Sequence, residues 1–165
     1  MALTKLGPVD ANTIGNLPAT GSAAPAFVLS GNNMKDVNSK DFEGKTIVLN
    51  IFPSIDTSTC ATSVREFNKR VASLDNTFIL CISKDLPFAQ KRFCGAEGID
   101  KAITLSDFRG RGFGKAYGVE LLDSNFAGLF ARAVVVIGAD GKVKHTELTP
   151  TIGQEPNYDA ALKAI

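Results

Sequence analysis

A nearly continuous run of apolar and β-branched residues at positions 46–52 constrains the fold of this chain more than any other feature. The run reads TIVLNIF and lacks the alternation expected of a strand with one solvent-facing side. This pattern is typical of a strand that is covered on both faces by other elements. Pro53 follows at once and predicts the end of the strand. We therefore expect a layered fold in which helices pack on a central sheet.

The remainder of the chain alternates between helix and strand periodicity. The predicted elements are a helix over 58 to about 74, a strand over 77–83, a helix from Pro87 to Gly95, strands over 102–106 and 131–138, a turn over 139–142, a strand to 148 and a helix over 157–165. This order predicts an α/β fold with a central mixed β-sheet flanked by helices. A closing hairpin and helix are typical of the thioredoxin arrangement, and a flavodoxin-like sheet is the alternative. Because no linker divides the chain, we expect one domain over residues 1–165.

Charge and hydropathy exclude several classes of function. Eighteen Lys and Arg residues against 17 Asp and Glu give a net charge of +1, and no basic block is present, so we expect no nucleic-acid partner. No apolar run approaches the ~18 residues that a membrane span needs, so we expect no membrane association. The first residues lack the apolar core of an export signal, which favours a cytoplasmic location.

Three cysteines and one histidine, His145, narrow the possible chemistry. An odd number of cysteines without an export signal argues against a framework of structural disulfides. A single histidine excludes a metal site built from paired histidines and makes a histidine-activated nucleophile improbable. We expect no metal and no other cofactor, and any catalysis would depend on sulfur.

Cys60 is the strongest candidate for a reactive group. It follows a buried strand and lies in the first turn of the predicted amphipathic helix, where free backbone N–H groups and the helix dipole favour an anion. A thiolate is the nucleophilic form of cysteine. Cys60 is also in register with Val64, Phe67 and Val71, so its position alone fits a small buried apolar residue equally well.

The residues before Cys60 favour the reactive interpretation. The segment PSIDTSTC places Thr57 three positions and Pro53 seven positions before the cysteine. Thr57 is about one helical turn from Cys60, so its hydroxyl can face the sulfur and a bound oxygen. Pro53 closes the strand end and shields the sulfur from water without offering a competing N–H donor.

This P-x-x-x-T-x-x-C segment resembles the active-site signature of the peroxiredoxins, and SKDLPFAQKRFC at 83–94 resembles that of one branch, the bacterial thiol peroxidases, which are atypical two-cysteine peroxiredoxins. The resemblance covers nearly the whole chain. It implies a thioredoxin-like fold with an added N-terminal β-hairpin, and a homodimer.

The resemblance also implies roles for individual residues. Cys60 would be the peroxidatic cysteine, Thr57 would bind the peroxide, and Arg132 would stabilise the thiolate and the leaving oxygen. Cys94 would be the resolving cysteine that forms a Cys60–Cys94 disulfide. The implied substrates are hydrogen peroxide and alkyl hydroperoxides, thioredoxin is the implied reductant, and no metal, haem or flavin is implied.

Other interpretations stay open from the residues themselves. Arg132 alone would be interpreted as a solvent-exposed charge at a strand end. Cys81, in the middle of a predicted strand, favours a structural thiol. A peroxide sensor or redox relay would use the same residues as a peroxidase, and a thioredoxin-fold binding module would not need Cys60 at all. Disulfide formation should rearrange the segment Pro87–Gly95 and the first turn around Cys60.

Overall fold

The computed structural model describes all residues 1–165 and contains nine strands and four α-helices. The strands are β1 (Leu3–Leu6), β2 (Val9–Asn12), β3 (Val28–Ser30), β4 (Asp36–Asn38), β5 (Thr46–Ile51), β6 (Thr77–Ser83), β7 (Ala102–Ser106), β8 (Ala133–Ile137) and β9 (Val143–Leu148). The helices are α1 (Ser58–Val71), α2 (Pro87–Glu97), α3 (Phe113–Ala116) and α4 (Tyr158–Lys163), and one turn of 3-10 helix spans Ser39–Phe42. No helix has the length and apolar character that crossing a membrane requires.

Seven strands form one mixed sheet in the order β4-β3-β7-β6-β5-β8-β9. Strands β5, β6 and β7 run parallel, whereas β8 is antiparallel to β5 and β9 is antiparallel to β8. β1 and β2 form a separate antiparallel hairpin. The predictions of an α/β fold, a mixed sheet and an added N-terminal β-hairpin are therefore confirmed.

Both faces of the sheet are covered, as the composition of β5 predicts. On one face, side chains of α1, α2 and α4 pack against alternate residues of β5, β6 and β8. On the other face, the opposite residues of these strands pack against aromatic side chains from α3 and the flanking loops. Burial on this scale supplies the main stabilising free energy of a small domain.

The predicted boundaries differ from the structure mainly at helix ends. α1 stops at Val71, three residues before the predicted end. α2 continues past Gly95 to Glu97, and Gly98, with φ of 65° and ψ of 33°, caps it instead. A Cβ on Gly95 would meet no atom within 4 Å, so this glycine lies on an open helix face and has no capping role. The prediction that α2 ends at Gly95 was therefore wrong.

The strand directions bring three chain segments to one edge of the sheet. β5 and β6 are parallel, so the loops after their carboxyl ends lie side by side. The amino end of antiparallel β8 reaches the same edge, because Ala133 pairs with Ile51 at the end of β5. Ala133 also pairs with Leu148, so the chain leaving β9 starts there too. Cys60, Arg132 and the segment after Leu148 therefore lie close together at this edge of the sheet.

Candidate active site around Cys60

Cys60 lies in the first turn of α1 and is completely buried, with 0% of its surface exposed. Its neighbours in the core include Val64, Phe67 and Val71, the residues with which it is in register along the helix. Burial alone therefore does not separate a reactive thiol from an inert one. The polar contact of the sulfur decides between them.

Arg132 supplies that contact. It immediately precedes β8 and is 1% exposed, so the interpretation as a solvent-exposed charge was wrong. Its Nη2 donates to Cys60 Sγ at 3.2 Å, and its Nε donates to the carbonyl of Ile152 at 2.7 Å. The remaining nitrogen, Nη1, is buried without a hydrogen-bond partner. One edge of the guanidinium is thus fixed, and another donor is free for a small ligand.

The charge of Arg132 has no carboxylate to balance it. No Asp or Glu oxygen lies within 4.0 Å of its nitrogens. An uncompensated buried charge costs several kcal/mol, so buried cations are paired with an anion. The sulfur of Cys60 occupies the position of that anion. The buried guanidinium therefore has the sulfur of Cys60 as its nearest side-chain acceptor.

Thr57 and Pro53 lie in the loop that leads from β5 into α1. Thr57 is the N-cap residue of α1, with extended backbone angles, and its hydroxyl donates to the carbonyl of Ser54 at 3.1 Å. Its side chain makes no capping hydrogen bond, so the lone pairs of the hydroxyl remain able to accept one. Pro53 is buried beside Phe52 at the strand end.

Cys94 is on α2 and is not bonded to Cys60, since all three cysteines are free thiols. Its sulfur is partly buried and lies 3.7 Å from Thr104 Oγ1. Burial raises the pKa of Cys94 above that of a free thiol, and the hydrogen bond with Thr104 partly opposes the shift.

Cys81 is as buried as Cys60 but has no cation beside it. Its sulfur accepts a hydrogen bond from Asn50 Nδ2 at 3.7 Å. Burial is the main cause that raises the pKa of Cys81 to about 12. The expected structural role of Cys81 fits this environment, since a neutral thiol is neither a nucleophile nor easily oxidised.

Asp85 is a further residue beside this site, and no role was predicted for it. It lies in the loop after β6, and its carboxylate accepts from the Ser54 hydroxyl at 2.7 Å, from the Ile55 backbone N–H at 2.7 Å and from the Ser83 hydroxyl at 2.6 Å. It therefore ties the loop that precedes Cys60 to the turn that precedes α2. The sequence signal that could have identified Asp85 is its position two residues after the end of a buried strand.

Comparison with known proteins identifies the family of this chain. The family model described as Redoxin matches residues 19–162. The chain belongs to the Redoxin family. It is 59% identical over 154 residues to a thiol peroxidase of Mycobacterium tuberculosis, covering 93% of this chain and 92% of that protein. It is 50% identical over 165 residues to a thiol peroxidase of Corynebacterium glutamicum, covering 100% and 99% of the two chains.

A solved structure of a peroxiredoxin-like protein from Aquifex aeolicus superposes on this Redoxin chain with a TM-score of 0.93 and 33% identity, covering 99% of this chain and 96% of that one. The thioredoxin-like fold is thereby confirmed. The predicted membership of the bacterial thiol peroxidases, and with it a thiol-dependent peroxidase activity, is confirmed by the family and the curated relatives.

Proposed function

We propose that Cys60 is the peroxidatic cysteine of this thiol peroxidase and that Arg132 activates it. The observation that carries the proposal is the 3.2 Å contact between Arg132 Nη2 and Cys60 Sγ, in an interior where Arg132 has no carboxylate partner. The guanidinium stabilises the thiolate before reaction and the negative charge on the departing oxygen during it.

The reaction begins when the thiolate attacks the terminal oxygen of a hydroperoxide. An S–O bond forms and the O–O bond breaks, which leaves a sulfenic acid on Cys60 and an alkoxide or hydroxide that takes a proton and departs as alcohol or water. Arg132 Nη1, which has no partner within the protein, donates to the peroxide. Thr57 accepts a hydrogen bond from the peroxide's O–H, and Pro53 excludes water beside it.

Cys94 completes the cycle as the resolving cysteine. Its thiol condenses with the sulfenic acid, so that water leaves and a Cys60–Cys94 disulfide forms; a dithiol of the thioredoxin type then reduces this disulfide by exchange. Both cysteines are free thiols, and Cys94 contacts Thr104 rather than Cys60. Disulfide formation therefore requires that α2, the first turn of α1, or both move.

Hydrogen peroxide and alkyl hydroperoxides are the proposed substrates, and the cytoplasm, where thioredoxin is kept reduced, is the proposed location.

We also propose a homodimer in which each subunit is a single domain of residues 1–165. Leu86 and Phe88, on the turn that begins α2, expose large apolar side chains and offer a surface for the second copy. Light scattering coupled to size exclusion measures the stoichiometry, and a monomer would reject this part.

A turnover assay with thioredoxin, thioredoxin reductase and NADPH tests the proposal. Sustained NADPH consumption on addition of peroxide is expected for the wild type and for Cys81→Ser, which is the matched control for removing a buried thiol. Cys60→Ser should lose all activity. Cys94→Ser should still consume one equivalent of peroxide but fail to cycle with thioredoxin. A single stoichiometric oxidation of the wild type would identify a sensor or relay instead, and full activity of Cys60→Ser would reject the assignment.

A further inference from the structure

Two hydrogen bonds connect β1 of the N-terminal hairpin to the segment that follows β9. The Thr4 hydroxyl donates to the carbonyl of Thr149 at 2.8 Å, and the carbonyl of Lys5 accepts from the Ile152 N–H at 2.8 Å. We call residues 149–153 the strap. Thr4 is 1% exposed, although it lies in a hairpin outside the main sheet. The hairpin is therefore hydrogen-bonded to the strap at both Thr149 and Ile152.

The same two strap residues also hold Arg132. The backbone N–H and the hydroxyl of Thr149 both donate to the carbonyl of Arg132, at 3.1 and 3.3 Å. The carbonyl of Ile152 accepts from Arg132 Nε at 2.7 Å. One strap residue thus fixes the backbone of Arg132, and the other fixes its side chain.

Apolar packing joins the same parts. Ala11 of β2, Leu121, Ala131 and Ile152 form a small buried cluster that is separate from the two main cores, and Leu6 of β1 packs against it. Ala131 is the residue before Arg132. A two-stranded hairpin has little stability alone, so its position depends on this cluster, on the two bonds to the strap, and on the bonds of Asn12 at the end of β2 to Leu122 and Asp123.

We propose that Thr4 is a positioning residue for the peroxidase reaction, which acts through the strap to hold the guanidinium of Arg132 against Cys60. This inference rests on the proposed roles of Cys60 and Arg132. The relay runs from the Thr4 hydroxyl to Thr149, from the Lys5 carbonyl to Ile152, and from both strap residues to Arg132. No residue of the hairpin touches the sulfur in this relay.

The physical basis is the sensitivity of catalysis to small displacements. A misplacement of about 1 Å can cost about 100-fold in rate, because a donor must meet the charge where it develops. Loss of the Thr4 hydroxyl leaves the buried carbonyl of Thr149 without this donor and loosens the strap. We expect Thr4→Val to lower the second-order rate of peroxide attack on Cys60 about tenfold.

The test compares two reactions of Cys60 in the same protein. Both reactions use the Cys60 thiolate, so a change in the thiolate fraction cancels in the ratio of the two rates. Peroxide attack also needs Arg132 for the leaving oxygen, whereas alkylation by iodoacetamide releases iodide and has no such need. Thr4→Val should therefore reduce the peroxide rate about tenfold and the alkylation rate less than about threefold. Thr4→Ser keeps the hydroxyl and should restore the peroxide rate to within about threefold of the wild type.

Thr13→Val is the matched control. Thr13 is fully buried just after β2, and its hydroxyl bonds to the carbonyls of Ala2 and Gly15 and not to the strap. Its ratio of peroxide to alkylation rates should equal that of the wild type even if its stability falls. Thr149→Val, which keeps the backbone bond to Arg132, provides a milder change and should lower the ratio less than Thr4→Val does.

The outcomes distinguish this inference from the proposed function. If Thr4→Val keeps the wild-type ratio, or if Thr13→Val lowers the ratio as much as Thr4→Val, Thr4 has no positioning role. If Cys60 of the wild type is not oxidised by peroxide at all, the proposed function itself fails, and this inference fails with it. A selective fall of the ratio in Thr4→Val with rescue by Thr4→Ser supports it.

Discussion

Asp85 offers a direct test of how the two reactive segments are coupled. In the reduced protein its carboxylate binds Ser54 and Ile55 on the loop before Cys60, and Ser83 on the strand before α2. These bonds must be disturbed when either segment leaves its place to form the disulfide. We predict that Asp85→Asn speeds disulfide formation by making this departure easier.

The size of the effect follows from the donors that face Asp85. The Ile55 N–H can only donate, so the single amide oxygen of the substituted side chain must face it, and the amide NH₂ then faces Ser54. At least one hydrogen bond to a charged acceptor is lost, which is worth about 1.5–3 kcal/mol. The population in which the loop is released should rise about 10- to 150-fold.

Single-turnover kinetics measure the consequence. One equivalent of peroxide is added, the reaction is quenched at intervals, free thiols are blocked, and the Cys60–Cys94 disulfide is quantified by mass spectrometry. We expect disulfide formation in Asp85→Asn to be at least about tenfold faster than in the wild type wherever release limits the step. The sulfenic acid then survives for less time, so less Cys60 is overoxidised at each turnover.

Asp56→Asn is the matched control. Asp56 lies on the same loop and pairs with Arg92 of α2 at 3.5 Å, but the two side chains are 63% and 70% exposed. An exposed pair of this kind contributes at most about 1 kcal/mol, so its loss should change the disulfide rate less than about fivefold. An unchanged or slower rate in Asp85→Asn, or an equal acceleration in Asp56→Asn, would refute the reasoning.

Three further predictions concern single groups. Arg132→Lys keeps the charge but cannot hold both the Ile152 carbonyl and the Cys60 sulfur, so stopped-flow measurements should show peroxide attack slower by about 100-fold or more. Thr104→Val removes the contact that opposes the raised pKa of Cys94, so alkylation of Cys94 at pH 8, followed in a Cys60→Ser background, should become slower. Burial raises the pKa of Cys81 to about 12, from 9.0 in the unfolded chain, so between these values the folded state keeps the thiol proton that the unfolded state has lost. The contribution of the Cys81 thiol to stability is therefore complete below pH 9 and is lost as the pH rises towards 12. Denaturant titrations of Cys81→Ala should therefore show a smaller loss of unfolding free energy over that range, and an equal loss would contradict the assignment.

Local sequence patterns were enough to determine most of the sheet and the position of Cys60. The predicted strands at 77–83 and 102–106 have the bounds of β6 and β7, because buried parallel strands are nearly continuous apolar runs. The position of Cys60 in the first turn of α1 also follows from local signals, since Pro53 ends the strand and the helical period starts at Ser58. Strands β3 and β4 have only three residues each, and such short strands carry too little periodicity to be predicted.

The surroundings of Cys60 were decided only by the tertiary structure. From the residues alone Arg132 had the properties of a surface charge, yet it is buried against the sulfur because β8 runs antiparallel to β5 and begins where β5 ends. The contacts of Asp85 and Thr4 likewise join segments that are distant in the sequence. Thr4 is 145 positions from Thr149, whose carbonyl accepts its hydroxyl. The sequence identified Cys60 as the candidate nucleophile, since spacing and periodicity act between near neighbours. Contacts between distant segments depend on strand order and direction, and these alone decided which groups surround the sulfur of Cys60.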